Sequence, residues 1–300
     1  MKSKQYCFKG NEKLKLKHIP TDSKKDHVKK EEILKKTLEN QKKIAQLQER
    51  LYADHREGLI LVLQAIDAAG KDSTVKHVMS GVNPQGVDVV SFKQPNSEEL
   101  AHDFLWRVNK HIPERGKIGI FNRSYYEDVL VVQVHQLNHT YHMAERITGM
   151  EDKEFFRKRY KQIRNYEEYL YENSYRIVKI FLNVSKEEQK KRFLERIDCP
   201  EKNWKFDAGD LKERKLWDEY HAVFEEVINA TATKECPWYA LPADQKWYTR
   251  YLVSEILLKT LEEINPQYPV VSDEEKDNYA SCRQILMEEN DTEEQKVIGI

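Results

Sequence analysis

Apolar positions along the chain fall into short unbroken runs, and long stretches of helical periodicity separate them. The run Leu59-Ile-Leu-Val-Leu63 contains no polar residue, so a strand built from it is buried on both faces. Similar runs stand at Val87-Asp-Val-Val-Ser-Phe92, Ile118-Gly-Ile-Phe121 and Ile177-Val-Lys-Ile-Phe-Leu182, with a shorter one at Trp238-Tyr-Ala-Leu241. Between them the spacing predicts helices over about 71–82, 98–111, 125–147, 151–172, 185–197, 210–230 and 247–264. Strands alternating with helices imply a parallel sheet covered on both faces. Two helix starts have the capping-box form, Ser185-Lys-Glu-Glu188 and Asp210-Leu-Lys-Glu213, in which cap and third-position side chains satisfy free backbone donors.

The ends read differently. Residues 1–30 form an irregular polar arm, interrupted by Pro20 and Asp22-Ser23. A helix is predicted from Glu31 to about Asp54, with Ile33, Leu34, Leu38, Ile44, Leu47 and Leu51 as a loose stripe. That stripe fits either the core or a second subunit. After Pro266 and Pro269 the sheet pattern stops, and residues 272–300 read as an amphipathic helix with an acidic tail. The expected division is an arm over 1–30, one domain over 31–270, and a C-terminal helix and tail over 271–300.

Composition narrows the function classes. With 300 residues the chain has room for one large α/β domain. Fifty Lys and Arg against 51 Asp and Glu point to no nucleic-acid or membrane partner. A balanced total still permits a basic channel, since polyanion binding depends on where the charges sit. Cys7, Cys199, Cys236 and Cys282 are scattered without a CxxC pair, as expected for reduced thiols in a cytoplasmic protein. No apolar leader or run of membrane-spanning length is present in the sequence.

The first strand runs into Gln64-Ala-Ile-Asp-Ala-Ala-Gly-Lys-Asp-Ser-Thr74 and then a helix. A strand, a small-residue loop, Gly-Lys and a helix make the context of a phosphate-binding loop. Ala68, Ala69 and Gly70 let backbone N–H groups converge on an anion, and Lys71 adds a full charge to the helix N-terminus. The match to GxxxxGK[ST] is imperfect, with Ala65 at the first glycine position and Asp72 where a hydroxyl belongs. An ordinary strand-to-helix turn is the alternative. A carboxylate at Asp67 would repel phosphate unless a divalent cation lay between them, so Asp67 is expected to be a Mg²⁺ ligand, with Asp72 sharing the role or orienting the nucleophile.

The third strand leads into Asn122-Arg-Ser-Tyr-Tyr-Glu-Asp-Val129. Strand ends beside a phosphate loop line the ligand crevice of an open parallel sheet. Arg123 is placed to grip phosphate oxygens bidentately. Glu127 and Asp128 suit metal or acceptor positioning, or else simply complement a helix dipole. Further on, Lys190, Lys191, Arg192 and Arg196 cluster on one helix ahead of Asp198-Cys-Pro-Glu-Lys-Asn-Trp-Lys205. They read as a solvated face or, beside two phosphate-binding elements, as a mobile cationic lid over about 185–215. Trp217, Tyr220, Phe224 and Val227 lie at helical spacing as core. His135, His139 and His142 lack a fourth zinc ligand.

Together these segments resemble the polyphosphate kinase 2 family over about residues 30–265. The pieces that carry the resemblance are Asp67-Ala-Ala-Gly-Lys71, His77 to Gly86, Phe121 to Val129, Arg192 to Lys205, and Leu241 to Tyr248. The family implies a three-layer αβα fold, P-loop kinase-like and similar to thymidylate kinase, with a helical lid. It implies Mg²⁺, with Mn²⁺ substituting, and transfer of a terminal phosphoryl group from inorganic polyphosphate to a nucleotide. On this sequence, Asp67, Lys71, Arg123 and Asp128 would be catalytic. Residues 68–73 (Ala68, Ala69, Gly70, Lys71, Asp72, Ser73) with Arg123, Arg192, Arg196 and Lys205 would bind phosphate. Asn122, Glu127 and Asp128 would face the nucleotide, and Asp67, Asp72 and Asp128 the metal. Some family members carry Asp at the position of Asn122. The Ala-Gly-Lys-Asp and Tyr-Glu-Asp-Val segments resemble the subgroup that accepts both nucleoside mono- and diphosphates, AMP to ADP to ATP and guanine nucleotides besides, where Glu127 would tune acceptor choice. A homo-oligomer is expected. The rival readings are an ATP-dependent nucleotide kinase of the same fold and a silent polyphosphate-binding module.

Overall fold

The structure, a computed structural model, describes residues 2–297. The chain forms two compact units, Met1–Pro266 and Gln267–Ile300. The first is built on a six-stranded sheet: β1 (Cys7–Phe8), β2 (Gly58–Gln64), β3 (Val87–Ser91), β4 (Ile118–Asn122), β5 (Tyr175–Asn183) and β6 (Trp238–Pro242). The spatial order is β1-β6-β5-β2-β4-β3, parallel throughout except for the β1–β6 pair. All five apolar runs of the sequence are strands. β2 lies between β4 and β5, so consecutive connections leave it in opposite directions and open a crevice at its carboxyl end.

The two faces of the sheet carry separate cores. One packs Leu59, Leu61, Leu63 and Ile180 against helices Lys30–Asp54 and Lys246–Ile264. The other packs Ile60, Val62, Phe121 and Phe181 against helices Asp152–Glu172 and Trp217–Thr231. The alternation follows from the two-residue period of a strand, and it gives the three-layer αβα arrangement. The stripe on the first long helix docks on the core through Ile33, Ile44 and Leu51, whereas Leu34 and Leu38 are exposed.

Several local expectations fail. The helix expected over 98–111 is two short pieces, Ser97–Leu100 and Trp106–Asn109. The arm over 1–30 is irregular for most of its length, but it supplies β1, and Asp26 pins it down by accepting hydrogen bonds from Tyr6 and Tyr248, both 2.6 Å. The helix expected over 125–147 is four short pieces, Tyr125–Asp128, Val131–Val134, Leu137–Thr140 and Glu145–Thr148. Gln136 has φ 53°, left-handed, and cannot continue a helix. The capping box at Asp210 does not form: Asp207 accepts from the Gly209 amide at 2.7 Å, and Asp210 turns to Arg196. At the other expected cap, Ser185 does accept from the Glu188 amide at 3.1 Å, but Glu188 bonds Arg192 in place of closing the box. The second unit is a single helix, Asp273–Val297. Residues 298–300, the end of the expected tail, lie outside the described residues.

Candidate active site

Two loops at the carboxyl edge of the sheet build the site. The first leaves β2 at Gln64 and enters helix Lys71–Val78. It turns through two left-handed residues, Ala68 at φ 58° and Gly70 at φ 106°. Glycine adopts that region without penalty, but an alanine there costs ~1–2 kcal/mol, so the surroundings must hold the loop in shape. Lys71 folds back over it and donates from Nζ to the Ala65 carbonyl at 2.8 Å. Burial, then the nearby Arg123 guanidinium, pushes the Lys71 ammonium down to about 8 against the pull of Asp67, Glu127 and Asp72.

The second loop leaves β4 at Asn122. Arg123 has φ 63°, its amide donates to the Leu63 carbonyl at 3.0 Å, and its guanidinium bridges the loops. One nitrogen pairs with Asp67 at 2.7 Å and the other faces Glu127 at 3.5 Å. Burial alone would lower this guanidinium, but Glu127 and Asp67 hold it above its ordinary value. Burial pushes Glu127 up, opposed by Arg123 and Lys71. Asn122 donates to Asp72 at 2.7 Å, so two of the three positions that depart from the expected motifs are partners across the crevice.

Around these loops lie two cavities. The larger, about 570 Å³, is lined by the whole 67–73 segment, the end of β3, Asn122 and Arg123, and the helices beyond β5. Eight cationic side chains face it, Lys71, Lys93, Arg123, Arg192, Arg196, Lys202, Lys205 and Lys246, against Asp67, Asp72, Glu195 and Asp210. That excess concentrates positive charge in one cavity of a protein of balanced charge. The second cavity, about 510 Å³, shares Lys93, Gln94 and Arg123 with the first. Its other walls are largely apolar, Pro95, Leu100, Val131, Val132 and Leu137, with Glu127, Asp128, Arg107, Tyr141 and His142 as polar groups. Burial pushes Asp128 up to about 6, against Arg159 and Arg107.

The chain as a whole has counterparts among known proteins. The sequence pattern described as Polyphosphate kinase 2 (PPK2) matches residues 27–269. The chain belongs to the polyphosphate kinase 2 family. It is 45% identical to an ADP-polyphosphate phosphotransferase of Rhodopseudomonas palustris, over 96% of this chain and 99% of that one. It is 46% identical to an AMP/ADP-polyphosphate phosphotransferase of Meiothermus ruber, over 76% of this chain and 80% of the relative. The crystal structure of polyphosphate kinase 2 from Arthrobacter aurescens superposes with a TM-score of 0.84 at 35% identity, covering 95% of this chain and 96% of that one.

Most of the residues singled out from sequence lie around these two cavities, with three departures from the expected arrangement. Asp67 and Asp72 line the cationic cavity, whereas Asp128 lines the apolar one and accepts from Tyr141 at 3.3 Å. Asn122 faces the cationic cavity. Arg192, expected to close from a mobile lid, is buried and fully engaged. Its Nε donates to Glu188 at 2.9 Å, Nη1 to the Ala68 and Ala69 carbonyls at 3.0 and 2.7 Å, and Nη2 to the Ala243 and Asp244 carbonyls at 2.7 and 3.0 Å. All five donors of the guanidinium have protein acceptors, so Arg192 braces the strained phosphate loop. Arg196 is the more open arginine of the pair and bonds Asp210 at 3.1 Å. Burial and the nearby Asp67 push Asp210 up to about 6, with Arg196 opposing.

Lys93 and the apolar walls of the second cavity escaped the sequence reading, whereas Lys202 and Lys246 stood in the quoted segments without being singled out. Lys93 follows the strand Val87–Ser91, and the rule that strand ends line the crevice would have flagged it. Among the described residues no cluster of three or more His, Cys, Asp or Glu forms a protein-only metal cage. Two aspartates beside a phosphate loop fit a hard divalent cation that takes one or two carboxylates and completes its shell with phosphate oxygens and water.

Proposed function

We propose that the protein moves the terminal phosphoryl group of inorganic polyphosphate onto nucleoside mono- and diphosphates, AMP to ADP to ATP and the guanine nucleotides likewise, and runs in reverse. The observation that carries this reading is the trough of eight cations, which continues past the phosphate loop to Lys93, Lys202, Lys205 and Lys246. A nucleoside triphosphate donor would need an apolar seat for its base there, and that cavity offers little beyond Ala68, Ala69 and Phe92. The apolar walls belong to the second cavity, which suits the acceptor base.

The residues then divide the work. Lys71 and Arg123 hold the phosphoryl group in flight, where positioning and charge neutralisation matter more than covalent chemistry. Arg123 lines both cavities, so it sits where donor and acceptor meet. Arg196 and Lys205 hold the trailing phosphates, and Glu127 orients the acceptor. Mg²⁺, or Mn²⁺ in its place, would be held by Asp67 and Asp72 and would neutralise charge on the bridging phosphate oxygens. A cytoplasmic homo-oligomer without nucleic-acid or membrane partners completes the reading. Among the described residues no helix is long and apolar enough to cross a membrane, and all four cysteines are free.

The test is donor choice. With AMP or ADP, Mg²⁺ and long-chain polyphosphate as sole donor, ADP and then ATP should accumulate. Turnover of AMP with a nucleoside triphosphate donor and none with polyphosphate would reject the reading in favour of an ordinary nucleotide kinase.

A further inference from the structure

Beneath the Arg123 turn lies a polar group that the chemistry above does not use. Glu167, on helix Asp152–Glu172, is 1% exposed and faces Lys179, fully buried in β5, at 2.5 Å. Lys179 also donates to the Thr231 carbonyl at 2.8 Å. The other carboxylate oxygen of Glu167 accepts from two phenols at once, Tyr125 at 2.8 Å and Tyr126 at 2.7 Å. Those tyrosines are the residues between Arg123-Ser124 and Glu127-Asp128. Their backbone is tied upward as well: Ser124 Oγ accepts the Tyr126 amide at 3.2 Å and the Gln64 side chain at 3.1 Å, and Gln64 is the last residue of β2 before the phosphate loop.

A buried ion pair is a poor stabiliser, since desolvation offsets its attraction and an apolar pair of similar volume often does as well. What it does provide is one fixed acceptor for two hydroxyls, and a fixed point under a turn whose arginine is held in a left-handed conformation. We infer that Glu167 is a positioning residue for phosphoryl transfer: through Tyr125 and Tyr126 it sets the turn so that Arg123 and Glu127 meet the phosphate loop in register. The inference rests on the placement of Arg123 and Glu127 at the reacting centre.

The test compares two double variants that differ in one acceptor oxygen. Glu167→Leu with Lys179→Met removes both charges and the acceptor; Glu167→Gln with Lys179→Met removes the charges and keeps it. The leucine variant should fold cooperatively yet lose about 10- to 100-fold in kcat, with KM for polyphosphate within about two-fold. The glutamine variant should recover most of the rate. A purely structural network would instead lower the unfolding temperature of both variants and leave kcat of the folded enzyme equal, which would overturn the inference. Should the leucine variant not fold, Tyr125→Phe with Tyr126→Phe keeps rings and ion pair and removes only the hydroxyls; a kcat within two-fold of wild type overturns the inference equally. Arg123→Ala, measured alongside, separates the layers. If it keeps the wild-type rate, the site reading falls and takes this inference with it; if it is inactive while the phenylalanine variant is unimpaired, only the inference falls.

Discussion

The two cavities at the carboxyl edge of the sheet are of similar size, about 570 and 510 Å³, and share Arg123, yet they are made of opposite materials. One is walled by cations drawn from five separate stretches of chain and has few apolar side chains, Ala68, Ala69 and Phe92. The other adds an apolar patch, Pro95, Leu100, Val131, Val132 and Leu137, among its polar and charged side chains. The first can recognise charge at regular spacing but not shape, which suits a chain of identical phosphates. The second can recognise the flat apolar body of a base, which charge cannot do. On the proposed reading, donor and acceptor are told apart by the kind of wall each meets, and the arginine common to both walls lies where the phosphoryl group would cross.

The heaviest blow to this division comes from its shared centre. Lys71→Ala should lower kcat/KM by at least ~100-fold, about 2.7 kcal/mol of transition-state stabilisation, for either substrate varied. A correctly folded variant with a near-normal rate would remove the phosphate-loop assignment. Asp128 gives a pH signature confined to the acceptor side. Its folded value, about 6, lies above that of a free aspartate, so the native state holds the proton more tightly than the unfolded chain. The carboxyl costs nothing when both states are protonated, and its cost appears as pH rises from about 4 to 6. Asp128→Asn should then stabilise the protein by on the order of 1–3 kcal/mol above pH 7 and not at all near pH 3.5. Equal gains across that range, by thermal unfolding, would show that desolvation does not govern this group.

Smaller effects should split cleanly between substrates. Leu100→Ala takes apolar surface from the acceptor wall, and about 1 kcal/mol of lost contact should raise nucleotide KM ~5-fold with polyphosphate KM unchanged. Lys205→Ala should do the reverse, raising polyphosphate KM ~3-fold, because one exposed charge among eight contributes little by itself. Crossed effects in steady-state kinetics would blur the boundary between the cavities.

The middle of the sheet was legible because Gly58–Gln64, Ile118–Asn122, Tyr175–Asn183 and Trp238–Pro242 are buried over most of their length and so appear as largely apolar runs. The two loops were legible because phosphate chemistry needs small residues, a lysine and an arginine in contiguous order. The setting of Arg192 was hidden for the opposite reason: a guanidinium that donates to four backbone carbonyls is indistinguishable in sequence from one that waits for phosphate. The broken segment over 125–147 was hidden because Tyr125 and Tyr126 are pulled inward by Glu167, a residue about 40 positions later. Lys179 did leave a trace, since a lysine inside the run Ile177–Leu182 implies a buried partner. The second cavity left only Glu127 and Asp128 as a trace; its apolar walls come from three separated segments, and no local pattern unites them.

The most direct test of the division is the salt dependence of the two Michaelis constants on the wild-type enzyme. Polyanion binding to a cationic trough releases counterions, so log KM for polyphosphate should rise steeply and linearly with log salt concentration. The nucleotide KM, held largely by apolar walls, should change several-fold less over the same range. Equal slopes for both substrates would contradict the assignment of the cationic cavity to polyphosphate.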